Sequence, residues 1–278
     1  GYLHNENDSF HYSNFESQIE PPAIQAAWPD RRLRLRSQLG LELLRSADGA
    51  TLEELIELKH SPRMLMADRV KDDLVRAVRS SGPSGDVLAA IELLDEWDNT
   101  SEASSRGGVL FDRWVGTYDE MGGDYAVEWT PLAPLETPSG IDDPVLATRA
   151  FEAAVSSTIE DFGRFDVAWG DVHRVRWGGV DEPVSGCPSY LGCFRHLAFD
   201  PDDDGRRRAY SGDAWILAVE FDSPPRAYSV LVFGQTGNPD SPHYRDQASM
   251  FSRGELKPVR FTEEDIEADL VSRYRPGK

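Results

Sequence analysis

Apolar residues recur at helical spacing through most of residues 23–121, and gather into short β-branched and aromatic runs later in the chain. After Pro29, placed like a first-turn proline, Leu33, Leu39, Leu43 and Leu44 form one apolar stripe. Thr51 with Glu54 makes a capping box that opens TLEELIELKH. Ser61-Pro62 predicts the start of the next helix, and SSGPSG its end. A short helix is predicted over 87–97, where Leu88, Ile91, Leu94 and Asp95 keep the period. Residues 99–108 read as a polar loop, 111–121 as helix again, and 131–144 as a Pro-rich connection.

The second half mixes element types. Asp143-Pro144 predicts the start of a helix whose face carries Phe151, Val155, Ile159 and Phe162. VHRVRW (172–177), AWILAVEF (214–221) and AYSVLVFG (227–234) read as strands, and DSPPR joins the last two into an antiparallel hairpin. Both hairpin strands are almost continuously apolar, which predicts cover on both faces. Ser241-Pro242 predicts a helix running to Arg253 and stopped by Gly254, and Thr262 caps a last one, EEDIEADLVSRY. The pattern is α+β: helices layered on a largely antiparallel sheet, with no internal repeat. It divides into a polar and aromatic opening segment (1–22), a mainly helical region (23–121), and a helix with antiparallel strands and C-terminal helices (142–278).

The chain has 278 residues, 40% hydrophobic, with twelve Phe, nine Tyr and seven Trp, enough for a packed core despite 28% charged residues. A net charge of −20 argues against a nucleic-acid partner, because phosphate binding needs a basic face. No apolar run reaches the roughly 20 residues of a membrane span. Gly1 opens no signal peptide, so the chain reads as a processed product or fragment. The basic residues are mostly Arg, which fits an exported or salt-exposed protein, or a base-composition bias. Cys187 and Cys193 either form a disulfide across a Pro/Gly loop or are two small buried residues flanking a turn.

GxSxG, P-loop, GxGxxG and HExxH signatures are absent. DPDDDG (200–205) begins like a calcium loop, but Ser211 stands where such a loop needs a bidentate Glu, so a solvated turn is the better reading. The opening GYLHNENDSFHYSN places Asn5, Asn7, Asp8, Ser9 and Asn14 among aromatics. This is either a pocket wall, with a few oriented donors in an apolar surround, or an ordinary Asn-rich loop.

GYLHNENDS at the start, WGDVHRVRWG at 169–178, the strand pair at 214–234 and GQTGNPDSPHYRDQASMFSRGELKPVRFTEEDI at 234–266 resemble the penicillin amidase family of N-terminal nucleophile hydrolases. In motif style they are nearest to the acyl-homoserine-lactone and lipopeptide acylases. The resemblance covers essentially the whole chain and identifies it with the C-terminal part of a β-subunit, of αββα-layered fold. It implies hydrolysis of the amide bond of a small N-acyl substrate by a serine at a chain N-terminus, whose own α-amine is the base. That serine is not in this chain, so the resemblance implies partners: other chains of the same acylase carrying the nucleophile and the α-subunit.

The second Asn of the Asn-x-Asn motif, Asn7, would be the oxyanion donor, with Asn5 beside it in the pocket wall. A basic residue some two dozen positions later would hold the loop; Arg31 and Arg32 are the candidates, or else they line the outer face of a helix. The family implies no cofactor beyond a structural calcium, for which Glu16 or Glu20 could supply a carboxylate, and a periplasmic or secreted location. The HYRDQ block would tie the last helix to the sheet. Two departures stand out: Glu6 between the two Asn, and Phe10 where a Pro is often found.

Overall fold

The computed structural model describes residues 1–20, 29–275 and 277. The expected helical residues 23–28, Trp28 among them, lie outside these. Among the described residues, five α-helices occupy the first half: α1 (Leu35–Ser46), α2 (Leu52–Lys59), α3 (Leu65–Ser80), α4 (Gly85–Glu96) and α5 (Gly108–Glu120). A small hairpin, β1 (Tyr125–Val127) with β2 (Ser139–Ile141), leads to the long helix α6 (Pro144–Phe162). Asp143 caps α6 by accepting from the backbone N–H groups of Val145 and Leu146, with Pro144 in its first turn. The Thr51–Glu54 capping box on α2 is likewise formed in both directions.

α3, α4, α5 and α6 enclose the main core, where Leu74, Ile91, Phe111, Trp114 and Phe151 are fully buried. The short α7 (Trp169–Val172) then feeds a mixed four-stranded sheet. Its order is β4 (Val180–Pro183), β3 (His173–Trp177), β6 (Arg207–Gly212), β5 (Leu197–Pro201), with only β3 and β6 parallel. A second, antiparallel sheet holds β7 (Trp215–Glu220), β8 (Arg226–Leu231) and β9 (Lys257–Pro258). Val175, Val184 and Leu197 meet Ile216 and Val230 in a smaller core, closed by Phe251 of α8 (Ala248–Ser252). The α+β class and the β7–β8 hairpin agree with the sequence pattern.

Five expectations need correction, each because tertiary contacts overrode a local signal. α1 starts at Leu35, not after Pro29, because Leu33 is drawn into the core from an extended segment. α3 starts at Leu65, because the carbonyls of Ser61 and Pro62 accept from Arg195 and Ser101 instead. The helix expected over 241–253 is broken into a 3-10 turn (Pro242–Tyr244) and α8. Between them Arg245 reaches the Gly178 carbonyl, and the Gln247 side chain accepts from Leu231 N–H at 3.0 Å. Gly234 permits this crossing, since a Cβ there would lie 2.2 Å from the His243 carbonyl. The last helix, α9 (Glu263–Ala268), buries nothing and stops early. Finally, β7 is covered on one face only: Trp215 is 62% exposed and Phe221, just beyond it, 91%.

Cys187 and Cys193 are bonded to each other. Close by, the buried Arg195 donates to Ser185 Oγ at 2.5 Å and to the carbonyls of Phe251 (2.5 Å) and Ser252 (3.2 Å), tying the end of α8 to the disulfide loop. Burial pulls its guanidinium down to about 10, still charged at neutral pH. Arg195→Ala strands the Ser252 carbonyl and leaves that of Phe251 to its backbone donors; it is expected to cost about 1–3 kcal/mol, read as a lower urea midpoint without loss of helical circular dichroism from α3–α6.

Candidate active site

Three consecutive residues, Glu6, Asn7 and Asp8, dock against the start of α1, each by a different contact. Asp8 receives the Arg34 backbone N–H (2.8 Å), Arg34 Nε (2.5 Å) and Ser37 Oγ (2.5 Å). Arg34 is the N-cap of α1 and offers no capping side chain of its own, so Asp8 caps the helix from outside. The carboxylate also sits where the helix dipole favours negative charge. Glu6 is 8% exposed and packs against Gly40 on the same helix, where a Cβ would lie 2.9 Å from Glu6 Oε1.

Asn7 stands between these anchors in the left-handed region, φ 68°, a conformation Asn tolerates better than most residues. Asn5 Oδ1 accepts its backbone N–H at 2.9 Å, an Asx turn that sets the bend. Arg34 Nη2 donates to its carbonyl (2.8 Å) and Arg36 Nη2 to its side-chain Oδ1 (2.5 Å). A guanidinium can only donate, so the amide oxygen faces Arg36 and the NH2 group faces away. That NH2 is exposed and makes no hydrogen bond among the described residues. The geometry presents one neutral, oriented donor on a braced turn.

His4 braces the turn from below, with Nδ1 2.6 Å from Glu6 Oε2 and Nε2 2.6 Å from the Tyr12 carbonyl. Both ring nitrogens face acceptors, which suits the imidazolium. Burial pulls its pKa down, but the Glu6 carboxylate and the Tyr12 carbonyl outweigh that, and the net shift is upward from 6.5.

The loop-holding role expected of Arg31 or Arg32 belongs to Arg34 and Arg36. Arg31 instead pairs with Glu20, and Arg32 is exposed. No local spacing singles these two out from Arg31 and Arg32: Arg34 is the N-cap of α1 and Arg36 lies in its first turn, where the acidic turn docks, while Leu33 and Leu35 beside them are buried. Arg31 and Arg32 do line a cavity of about 810 Å³ that Arg34, Trp129, Tyr190, Arg207 and Tyr210 also wall. Glu16 is taken up by Tyr2 and Arg45, and Asp202 and Asp204 of the DPDDDG loop by Arg176. Among the described residues no three or more His, Cys, Asp or Glu side chains gather as a group that could hold a metal ion. Ser189 Oγ lies 3.3 Å from His196 Nδ1, but no described carboxylate orients that imidazole, so the pair lacks the third member of a triad.

Residues 1–268 match the penicillin amidase family. The chain belongs to that family. It is 29% identical to an acyl-homoserine lactone acylase PvdQ of Pseudomonas fluorescens over 96% of its own length and 36% of that protein's. It is 30% identical to the PvdQ of Pseudomonas syringae pv. syringae (82% and 31%), and 27% identical to aculeacin-A acylase of Actinoplanes utahensis (96% and 36%). The chain thus spans about a third of the length of these curated relatives. Among solved structures it is similar to the thermostable penicillin G acylase of Alcaligenes faecalis, with TM-score 0.50 and 15% identity over 92% of this chain and 55% of that one. At that identity the likeness speaks for the fold, which is the penicillin acylase fold expected from the sequence. No described helix is long and apolar enough to cross a membrane.

The upward shift at His4 has a sign. Stabilisation of the turn is complete below the unfolded value near 6.5 and is lost as pH rises through the higher folded value. An NMR titration of the His4 ring is expected to give a midpoint above 6.5. The thermal midpoint should fall across the same range, and His4→Gln should flatten that fall.

Proposed function

We propose that this chain is the part of a penicillin-amidase-family acylase that supplies the oxyanion donor, Asn7, for hydrolysis of an N-acyl amide. The single observation that carries the reading is the free NH2 of Asn7, turned outward because Arg36 occupies the amide oxygen. A serine at a chain N-terminus, from the part of the acylase outside these residues, would attack the amide carbonyl, passing its hydroxyl proton to its own α-amine. The C–O bond forms as negative charge gathers on the carbonyl oxygen, and Asn7 Nδ2 donates to that oxygen. Collapse breaks the C–N bond, the amine leaves with the proton, and water then hydrolyses the acyl-serine.

A neutral donor matters here, since a carboxylate at position 7 would repel the growing charge. The flanking acids do not spoil the site. Glu6 is turned to His4 and Asp8 to Arg34 and Ser37, so the departure at Glu6 is absorbed beneath the turn.

The requirement for other acylase chains is supported by the uncovered face of β7, where Trp215, Leu217 and Phe221 are exposed. An exposed apolar strand face of that kind suits contact with further protein. A periplasmic or secreted location is supported by the Cys187–Cys193 disulfide, which persists in oxidising compartments.

In the assembled acylase, Asn7→Gly removes the donor while suiting φ 68°, so backbone strain is not a confounder. It is expected to lower kcat about 10²–10³-fold, with Asn7→Asp at least as severe. Turnover by Asn7→Gly equal to that of the parent would sink the assignment.

A further inference from the structure

A second cavity, of about 440 Å³, opens between the C-terminal half of α5, the start of α3 and the β1–β2 hairpin. That volume lies within the range of small-molecule sites. Trp114, Tyr118, Tyr125 and Tyr190 give it aromatic walls. Three of these rings have their polar ends committed to other partners. The Trp114 indole donates to the Ala147 carbonyl, the Tyr118 hydroxyl to Asp142 and the Tyr190 hydroxyl to Asp112. What they leave for the cavity is ring surface.

The same wall holds two acids, Asp119 and Asp124, and no basic residue. Both acids are exposed, and neither forms an ion pair among the described residues. Asp119 lies in the last turn of α5, which carries no basic residue, so the negative end of the helix dipole adds to its charge. Arg69, whose charge reaches Tyr125, gives its guanidinium to Gln38 and to the carbonyls of Leu135 and Glu136. Gly116 also lines the cavity. A glycine inside a helix weakens it, and here no neighbour requires one, since a Cβ would meet nothing within 4 Å. The space beside it belongs to the cavity.

We propose that this cavity binds a small apolar cation, a quaternary ammonium carried on an aromatic body. Aromatic rings attract such a cation, and it brings no N–H donors that apolar walls would leave unmet. Asp119 and Asp124 supply the opposite charge at the wall. A zwitterionic lipid headgroup would bring its phosphate against the same acids, so the ligand is a free cation. The site does not rest on the acylase reading, because a quaternary nitrogen cannot be the amine freed by amide hydrolysis.

The test is calorimetric titration of the intact protein with benzyltrimethylammonium, and with 4-tert-butylbenzoate as an anion of similar size. The cation is expected to bind and the anion to give no heat. Asp119→Asn combined with Asp124→Asn should weaken the cation about tenfold at low ionic strength, and added salt should weaken the parent likewise. Gly116→Leu places a side chain in the open space and should abolish binding while raising the thermal midpoint. It also separates this cavity from the one of about 810 Å³, which shares Tyr125 and Tyr190 but not Gly116. No binding of the cation to the intact protein would overturn the proposal. So would binding that survives Gly116→Leu, or equal affinity for the anion.

Discussion

The contact on which the candidate site depends is the docking of an acidic turn onto the N-terminus of one helix. α1 begins at Leu35 with unsatisfied backbone donors and a positive dipole end, and Asp8 supplies the missing acceptor from a segment 26 residues earlier in the chain. Capping here joins two distant segments, so helix and turn stabilise each other. Glu6 then fits only because Gly40 leaves room on the helix surface. Asn7, between two anchored acids, has its backbone set by Asn5 and Arg34 and its amide set by Arg36.

α1 owes its own position to two sets of leucines. Leu33, just before it, and Leu41 pack on Tyr12 of the opening segment, while Leu35 and Leu39 pack on Leu65 of α3. The helix is therefore a strut between the turn and the main helical core. Its buried Gln38 adds a tether, donating to the carbonyls of Leu33 (2.9 Å) and Thr137 (2.8 Å). In the role proposed for Asn7 such rigidity matters, because a misplaced dipole loses its advantage over water.

At the other end of the chain, the HYRDQ block works as a splice between the two sheets. Trp177 of β3 stacks on Phe233, with ring centroids 4.2 Å apart, and donates from its indole to the Tyr244 carbonyl at 3.0 Å. Arg245 and Gln247 add bonds to the β3–β4 turn and to β8. These groups are consumed in joining elements, whereas the Asn7 side chain of the opening turn keeps an uncommitted donor.

Sequence alone determined what depends on near neighbours: the α2 and α6 caps, the periodic helices α3 to α5, the β7–β8 hairpin, and the Asn-x-Asn motif with its family. These signals lie within a few residues of the chemistry they specify, so they survive without coordinates. Only the tertiary structure decided what depends on partners far along the chain. It moved the start of α1 past Pro29, broke the 241–253 helix, and left one face of β7 partly exposed. It also gave the loop-holding role to Arg34 and Arg36 rather than Arg31 and Arg32. An arginine's side chain points wherever the backbone beneath it is pinned, and here the burial of Leu33 and Leu35 did the pinning.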